Sequence, residues 1–345
     1  MGPESDHLAE AQQDVQLAPQ EIASVVAMYE LGHLESVRPF AAGSSRAPKA
    51  KVVTDSGAYL LKRLAPSRTN LDRLRFQHQV IQHLSEAGFP VAEVQRSRLN
   101  QTIAERGSHY YELSRWIDGH RYHYCPKEAK ASGSAMAAMH DLLSPLKKDA
   151  PRRRGYHDRR DVAQALVAMA EEYPGDSYER IADLLRVARR SVRPHWATLP
   201  MAVVHGDWHP GNLLMGTDRV AAVIDLESAC LEPRVSDLAN GLLQFSLNRI
   251  AGSPVASWPV ASDLTLLGSF LAGYQLVARE PLEQVELDCI PSLMIEAMAV
   301  ESTIALRRKG RLRSMTPEMV MPWIVARLDW IDQHREEIIE SSRRC

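Results

Sequence analysis

Three oxygen-bearing side chains, Asp207, Asn212 and Asp225, stand at a spacing that suits metal-assisted chemistry on a hydroxyl group. The amide of Asn212 and the carboxylate of Asp225 are hard oxygen ligands of the kind that Mg²⁺ prefers. A predicted strand, turn and strand separate them, and such a hairpin returns Asp225 to the same ion. Asp207, five residues before Asn212, can accept a hydrogen bond from a hydroxyl and take its proton. This set suits phosphoryl transfer, which depends mainly on positioning and charge stabilisation.

The surrounding residues form a longer pattern. His205–Met215 contains H-G-D-x-H-x-x-N, and Val223–Glu227 contains I-D-x-E after the hairpin. These segments resemble the catalytic loop and metal-binding segment of the group of aminoglycoside phosphotransferases, choline kinases and type II homoserine kinases, which are small-molecule relatives of protein kinases. The resemblance implies an ATP-dependent phosphotransferase with Asp207 as catalytic residue and with Asn212 and Asp225 as ligands of Mg²⁺.

The resemblance also implies supporting residues around this loop. His205 and His209 are expected to shape the loop, although a general-base role for His205 is the alternative. Asp237, on a following helix, is expected to hydrogen-bond the loop backbone. Glu227 lies two positions after Asp225, where protein kinases carry glycine and the small-molecule branch carries an acidic residue. Its side chain could bind the metal directly, and a solvated carboxylate is the alternative.

A second set of candidates lies in the N-terminal part of the chain. Lys62, on the predicted strand Tyr59–Leu64, matches the lysine that pairs with the α- and β-phosphates of ATP, whereas an exposed strand lysine is the alternative. The family places a glutamate on the next helix to pair with this lysine, and the aligned position holds Gln77. A neutral amide can hydrogen-bond the ammonium group but cannot neutralise it.

The loop that would cover the phosphates spans residues 41–46. Gly43, Ser44 and Ser45 are its candidate nucleotide contacts. The loop departs from the pattern G-x-G-x-x-G because only Gly43 is present, and an ordinary polar turn fits the same residues.

The order of the predicted elements indicates the fold class. Strand-like segments, with helices at Ile22–Tyr29 and Asn70–Glu86, precede Gly119, and long helical segments with one embedded hairpin follow it. This order predicts an α+β, bilobal, protein-kinase-like fold with a small antiparallel β lobe and a larger, mainly helical lobe. The predicted divisions are a flexible arm (1–19), an N-terminal nucleotide-binding lobe (20–117) and a C-terminal catalytic and substrate-binding lobe (118–345).

Composition excludes several other classes. The net charge of −2 provides no general attraction for nucleic acid or an anionic membrane. Four cysteines without a C-x-x-C pair argue against a disulfide framework and a zinc site. No secretory signal and no apolar stretch of about 18 residues is evident, so a cytoplasmic protein without nucleic-acid or membrane partners is expected.

The acceptor stays open among hydroxylated small molecules: an amino alcohol, a homoserine-like amino acid, a sugar amine or an aminoglycoside. A non-catalytic, pseudokinase-like nucleotide-binding protein is the alternative, and Gln77 and the irregular phosphate loop favour it. A protein kinase is disfavoured by the Asp225-Leu226-Glu227 sequence and by the lack of an Ala-Pro-Glu segment.

Overall fold

The computed structural model describes residues 16–40, 47–64, 70–152, 160–172, 175–247, 254–312 and 315–343. Within the chain, two compact units are distinguished, Met1–Asp118 and Gly119–Cys345. Residues 1–15 of the predicted arm lie outside the described residues, and the first helix begins at Pro19. Gly43, Ser44 and Ser45, the predicted phosphate contacts, also lie outside them.

The N-terminal unit contains a five-stranded antiparallel sheet with strand order β1-β2-β3-β5-β4. One helix precedes the sheet, and a second follows its third strand. The elements are α1 (Pro19–Val26), β1 (Leu34–Pro39), β2 (Lys49–Thr54), β3 (Gly57–Leu64), α2 (Leu71–Glu86), β4 (Ala104–Arg106) and β5 (His109–Arg115).

The two faces of this sheet differ because successive side chains of a strand point to opposite sides. On one face Leu61 and Tyr111 are buried in a cluster with Val25 of α1. Arg63 lies on this face too, and its Nη1 forms an ion pair with Glu21 of α1 at 3.1 Å. Lys62 is therefore directed to the opposite face.

Local interactions explain where helix α2 begins and where it ends. The side chain of Asn70 accepts a hydrogen bond from the backbone N–H of Arg73 at 3.0 Å, which caps the first turn. Gly88 adopts φ +75°, a conformation that glycine tolerates and that commonly ends a helix.

The C-terminal unit is mainly helical and contains two two-stranded antiparallel pairs, β6 with β9 and β7 with β8. The sequence predicts the β7–β8 hairpin but not β9, whose partner lies far away in sequence. The elements are α3 (Pro126–Leu142), α4 (Arg160–Glu172), α5 (Asp176–Val192), β6 (Met201–Val204), β7 (Leu213–Met215), β8 (Val220–Val223), β9 (Cys230–Pro233), α6 (Arg234–Phe245), α7 (Leu264–Val277), α8 (Gln284–Lys309), α9 (Pro317–Gln333) and α10 (Arg335–Arg343).

Two glycines allow α3 and α7 to approach each other closely. A Cβ on Gly133 would lie 1.9 Å from the carbonyl oxygen of Phe270, and one on Gly273 would lie 2.0 Å from that of Lys130. Any larger residue at either position must push the helices apart. Helix α3 also packs against β6, the strand that precedes His205.

The expectation that the chain lacks an apolar stretch of membrane-spanning length is wrong for helix α8. Its segment Gln284–Arg307 meets the length and composition criteria for a membrane span. However, 83% of its most apolar window is buried inside the protein, as in the central helix of a globular core. An ion pair of the buried Glu286 with Arg234, at 2.7 Å, also joins α8 to α6.

Candidate active site

A short hairpin brings Asn212 and Asp225 together. Asn212 immediately precedes β7, and the first residue of β7, Leu213, pairs with Val223 at the end of β8. The backbone N–H of Ile224 then donates to the carbonyl of Asn212 at 2.9 Å. Asp225 is thus the next residue after one that is hydrogen-bonded to Asn212.

The side chains of this pair form a set of hard oxygen donors. Asn212 is buried, and its amide nitrogen donates to the carbonyl of Asp207 at 2.9 Å. This bond holds the donor end of the amide and leaves the oxygen as the end that can bind a cation. Asp225 is exposed and has φ +61°, a left-handed conformation that non-glycine residues rarely adopt. An amide oxygen and a carboxylate on one rigid hairpin fit Mg²⁺.

Asp207 lies beside His209 in the loop that precedes β7. Its Oδ2 is 3.7 Å from Nε2 of His209, and its side chain is 41% exposed. Nδ1 of His209 accepts a hydrogen bond from the backbone N–H of Gly211 at 2.9 Å, so the ring is neutral and carries its proton on Nε2. His209 therefore fixes the turn after Asp207 and presents an N–H to that carboxylate.

Asp237, on α6, holds the backbone of the loop. Its carboxylate accepts the N–H of His205 at 2.9 Å and the N–H of Gly206 at 3.0 Å, and Nε2 of His140 lies 3.1 Å away. Gly206 has φ +73°, and a Cβ there would lie 2.6 Å from the carbonyl oxygen of Ser228. The loop thus needs glycine at this position and a carboxylate behind it.

The pKa of Asp237 reflects these contacts. Burial alone would raise this pKa, but the hydrogen bond from His140, the charges of His140 and His205 and the backbone hydrogen bond together lower it below its usual value. Asp237 is therefore ionised at neutral pH although its side chain is buried.

The ring of His205 is fully buried. Its Nε2 lies 3.0 Å from the carbonyl oxygen of Ile224, to which it donates, and the ring packs edge-on against Trp208. Nδ1 is buried and has no hydrogen-bond partner among the described residues. Because its available proton is held by a backbone carbonyl, this geometry favours bracing over general-base action.

In the N-terminal unit, Lys62 faces an acidic residue that the sequence does not single out. Lys62 pairs in register with Glu112 of β5, so the two side chains share one face of the sheet. Nε2 of His78 donates to Glu112 at 2.8 Å, and Nδ1 of His78 lies 2.8 Å from the hydroxyl of Thr102. Burial opposes ionisation of Glu112, but His78 and the charge of Lys62 lower its pKa below the usual value.

The strand register gives Lys62 a different partner from the one that the sequence indicates. The sequence alignment points to Gln77 on α2, whereas strand register supplies Glu112 from β5. The sequence contains one indication of this role for Glu112, because a glutamate between Tyr111 and Leu113 of an apolar strand is unusual. The partner of Glu112 could be identified only once β3 and β5 were known to be neighbouring strands.

Comparison with known proteins shows the family of this chain. A sequence model described as the phosphotransferase enzyme family matches residues 36–285. The homoserine kinase of Zymomonas mobilis is 25% identical over 231 residues, covering 65% of this chain and 69% of that protein. The homoserine kinase of Paramagnetospirillum magneticum is 24% identical over 290 residues, covering 81% and 82% of the two chains.

Solved structures share the fold. An amicoumacin kinase, in complex with AMP-PNP, Ca²⁺ and Ami, aligns with a TM-score of 0.67 and 15% identity over 91% of this chain and 93% of that one. A microcompartment-associated aminopropanol kinase aligns with a TM-score of 0.66 and 12% identity over 94% and 99%. The predicted α+β, protein-kinase-like fold class is confirmed.

Proposed function

Because the chain belongs to the phosphotransferase enzyme family, whose members phosphorylate hydroxyl groups of small molecules, we propose that it transfers the γ-phosphoryl group of ATP to the side-chain hydroxyl of a small amino acid of the homoserine class. The arrangement of Asp207, Asn212 and Asp225 around the β7–β8 hairpin carries this proposal. The names of the curated relatives support the acceptor class. The non-catalytic alternative has no support among these relatives, which are kinases by name.

Each residue of the loop has a proposed part. Asp207 accepts a hydrogen bond from the acceptor hydroxyl and takes its proton as the phosphoryl group is transferred. Asn212 and Asp225 would hold Mg²⁺, which when bound offsets the charge of the phosphates. His205, His209 and Asp237 keep the loop in shape, and no catalytic part is proposed for Glu227, which is exposed two residues after Asp225.

We assign nucleotide binding to residues 20–117 and catalysis with acceptor binding to residues 118–345. Lys62 binds the α- and β-phosphates of ATP, and Gly43, Ser44 and Ser45, which lie outside the described residues, are the further candidate contacts of the nucleotide. The cytoplasm, where ATP is abundant, is the proposed location, and the proposed partners are ATP, Mg²⁺ and the acceptor alone.

A panel of acceptors tests the proposed substrate class. With Mg-ATP, homoserine should give the highest kcat/KM, above aminopropanol, choline and an aminoglycoside, as measured by ADP release. Mass spectrometry should find a product that is one phosphoryl group heavier. The same preparation carrying Asp207→Asn is the control for contaminating kinases. A clear preference for an aminoglycoside would overturn the acceptor class but keep the phosphotransferase.

The counter-charge of Lys62 gives a second prediction. Glu112→Gln keeps the size of the side chain and removes the charge that orients the ammonium group, so we expect the KM for ATP to rise about tenfold with a smaller change in kcat. Glu105→Gln, on the exposed part of β4, is the matched control. If the KM for ATP stays unchanged while the melting temperature falls, Glu112 has only a structural role.

A further inference from the structure

A cluster outside the proposed active site contains the donor atoms of a transition-metal site. His120, His123 and Glu128 each offer one nitrogen or oxygen atom as a ligand, and these atoms all lie within 4.8 Å of one another. Oε1 of Glu128 is 2.9 Å from Nε2 of His120 and 3.1 Å from Nδ1 of His123. The two imidazole rings stack at 4.5 Å with an angle of 12° between them.

The backbone builds this cluster from one short segment. Tyr124 has φ +54°, and this left-handed residue turns the chain between His123 and the start of α3. Glu128 lies in the first turn of α3, where the helix dipole favours a carboxylate. Its second oxygen accepts the backbone N–H of His123 at 2.6 Å, which fixes the carboxylate.

The charge and exposure of the three residues suit metal binding. The Glu128 side chain is only 12% exposed, whereas the His120 and His123 side chains are 39% and 64% exposed, so an ion can enter from solvent. The adjacent cation, Lys127, forms an ion pair with Asp218.

We propose that His120, His123 and Glu128 bind one divalent transition-metal ion, of which Zn²⁺ is the representative. Two imidazoles and one carboxylate with an open position form a recurrent zinc ligand set, whereas Mg²⁺ prefers oxygen ligands alone. Ligand atoms of a tetrahedral zinc ion are about 3.3 Å apart, so the two distances from Oε1 of Glu128, 2.9 and 3.1 Å, need to widen only slightly. The cysteine pattern gives no indication of this site, because no cysteine belongs to the cluster.

The site has a structural consequence for the hairpin. His120 and Met215, the last residue of β7, exchange two backbone hydrogen bonds, at 2.9 and 2.8 Å. An ion bound to His120 would therefore secure the segment from His120 to Glu128 against the hairpin that carries Asn212. The proposal does not depend on the identity of the acceptor.

Metal titration of the untagged, full-length protein tests the site. We use Co²⁺ as the spectroscopic probe and Zn²⁺ in competition, in a Cys125→Ser background and with excess Mg²⁺ so that the oxygen ligands of the active site are occupied. One equivalent of Co²⁺ should bind and give visible absorption bands, and Zn²⁺ should displace it. Metal binding should also raise the melting temperature.

Ligand substitutions complete the experiment. His120→Ala and His123→Ala should each raise the Kd for Zn²⁺ by at least about tenfold, whereas the exposed His195→Ala in the same unit should not change it. Circular dichroism of the metal-free variants checks their folding, and His123→Asn replaces any variant that does not fold. Unchanged affinity in the His120→Ala/His123→Ala variant, or no binding of one equivalent by the parent, would overturn the proposal and leave a hydrogen-bonded brace only.

Discussion

Replacing Asp207 with asparagine should lower kcat by about a thousandfold while the affinity for ATP stays nearly unchanged. The change removes the carboxylate that accepts the proton of the acceptor hydroxyl but keeps the size of the side chain. Asn212 donates to the backbone carbonyl of Asp207, so the loop keeps this contact in the variant. The lost rate therefore reports on chemistry rather than on folding.

Two measurements separate chemistry from nucleotide binding in this experiment. Steady-state kinetics with the best acceptor give kcat, and isothermal titration calorimetry gives the Kd for Mg-ATP. Asp218→Asn, in the turn of the same hairpin, is the matched control because its exposed ion pair with Lys127 contributes little to stability. Wild-type turnover in Asp207→Asn would remove Asp207 from the catalytic role.

Replacing Asp237 with asparagine should lower the free energy of unfolding by about 3 kcal/mol. The carboxylate accepts two backbone N–H groups and faces the ring of His140, and its side chain is fully buried. An amide offers only one oxygen, so at least one donor loses its partner and the NH₂ group faces another donor. Because Gly206 adjoins Asp207, kcat should fall as well.

Urea unfolding measures this loss, and its dependence on pH tests the cause. The pKa of Asp237 is lower in the folded than in the unfolded protein, so its contribution is present above the unfolded pKa and is lost as pH falls through the folded value. The difference between wild type and Asp237→Asn should therefore be constant near neutral pH and shrink in strong acid.

A control variant distinguishes the buried carboxylate from an ordinary helix cap. Asp263 caps α7 by accepting the backbone N–H groups of Thr265 and Leu266, and Asp263→Asn should cost well under about 1 kcal/mol because asparagine also caps helices. Equal stability of Asp237→Asn and wild type would show that the loop does not depend on this anchor.

The hairpin of the proposed catalytic segment was predictable because its information is local. Asp207, Asn212 and Asp225 lie within one loop and one hairpin. Two apolar segments on either side of a Gly-Thr-Asp-Arg turn identify that hairpin from the sequence. The fold class was predictable for a similar reason, since strand and helix periodicities follow each other in separate parts of the chain. For these features, spacing along the chain determines proximity in space.

Contacts between residues that are far apart in the sequence could be identified only from the tertiary structure. The pairing of Lys62 with Glu112 depends on the register of β3 and β5, and the α2 residue that hydrogen-bonds Glu112 is His78. Strand β9 has only four residues, and its pairing with β6 stabilises it. Neither feature leaves a periodic pattern in the sequence.

The sequence alone determined which residue types stand in the catalytic loop, because their chemistry and order are fixed by the chain. Only the tertiary structure decided which carboxylate faces Lys62. It also decided that ligand atoms of His120, His123 and Glu128 lie within 4.8 Å of one another, through a turn at the left-handed residue Tyr124. The physical reason is that register, burial and a left-handed residue set these distances, and each is settled by packing of the whole chain rather than by local preference.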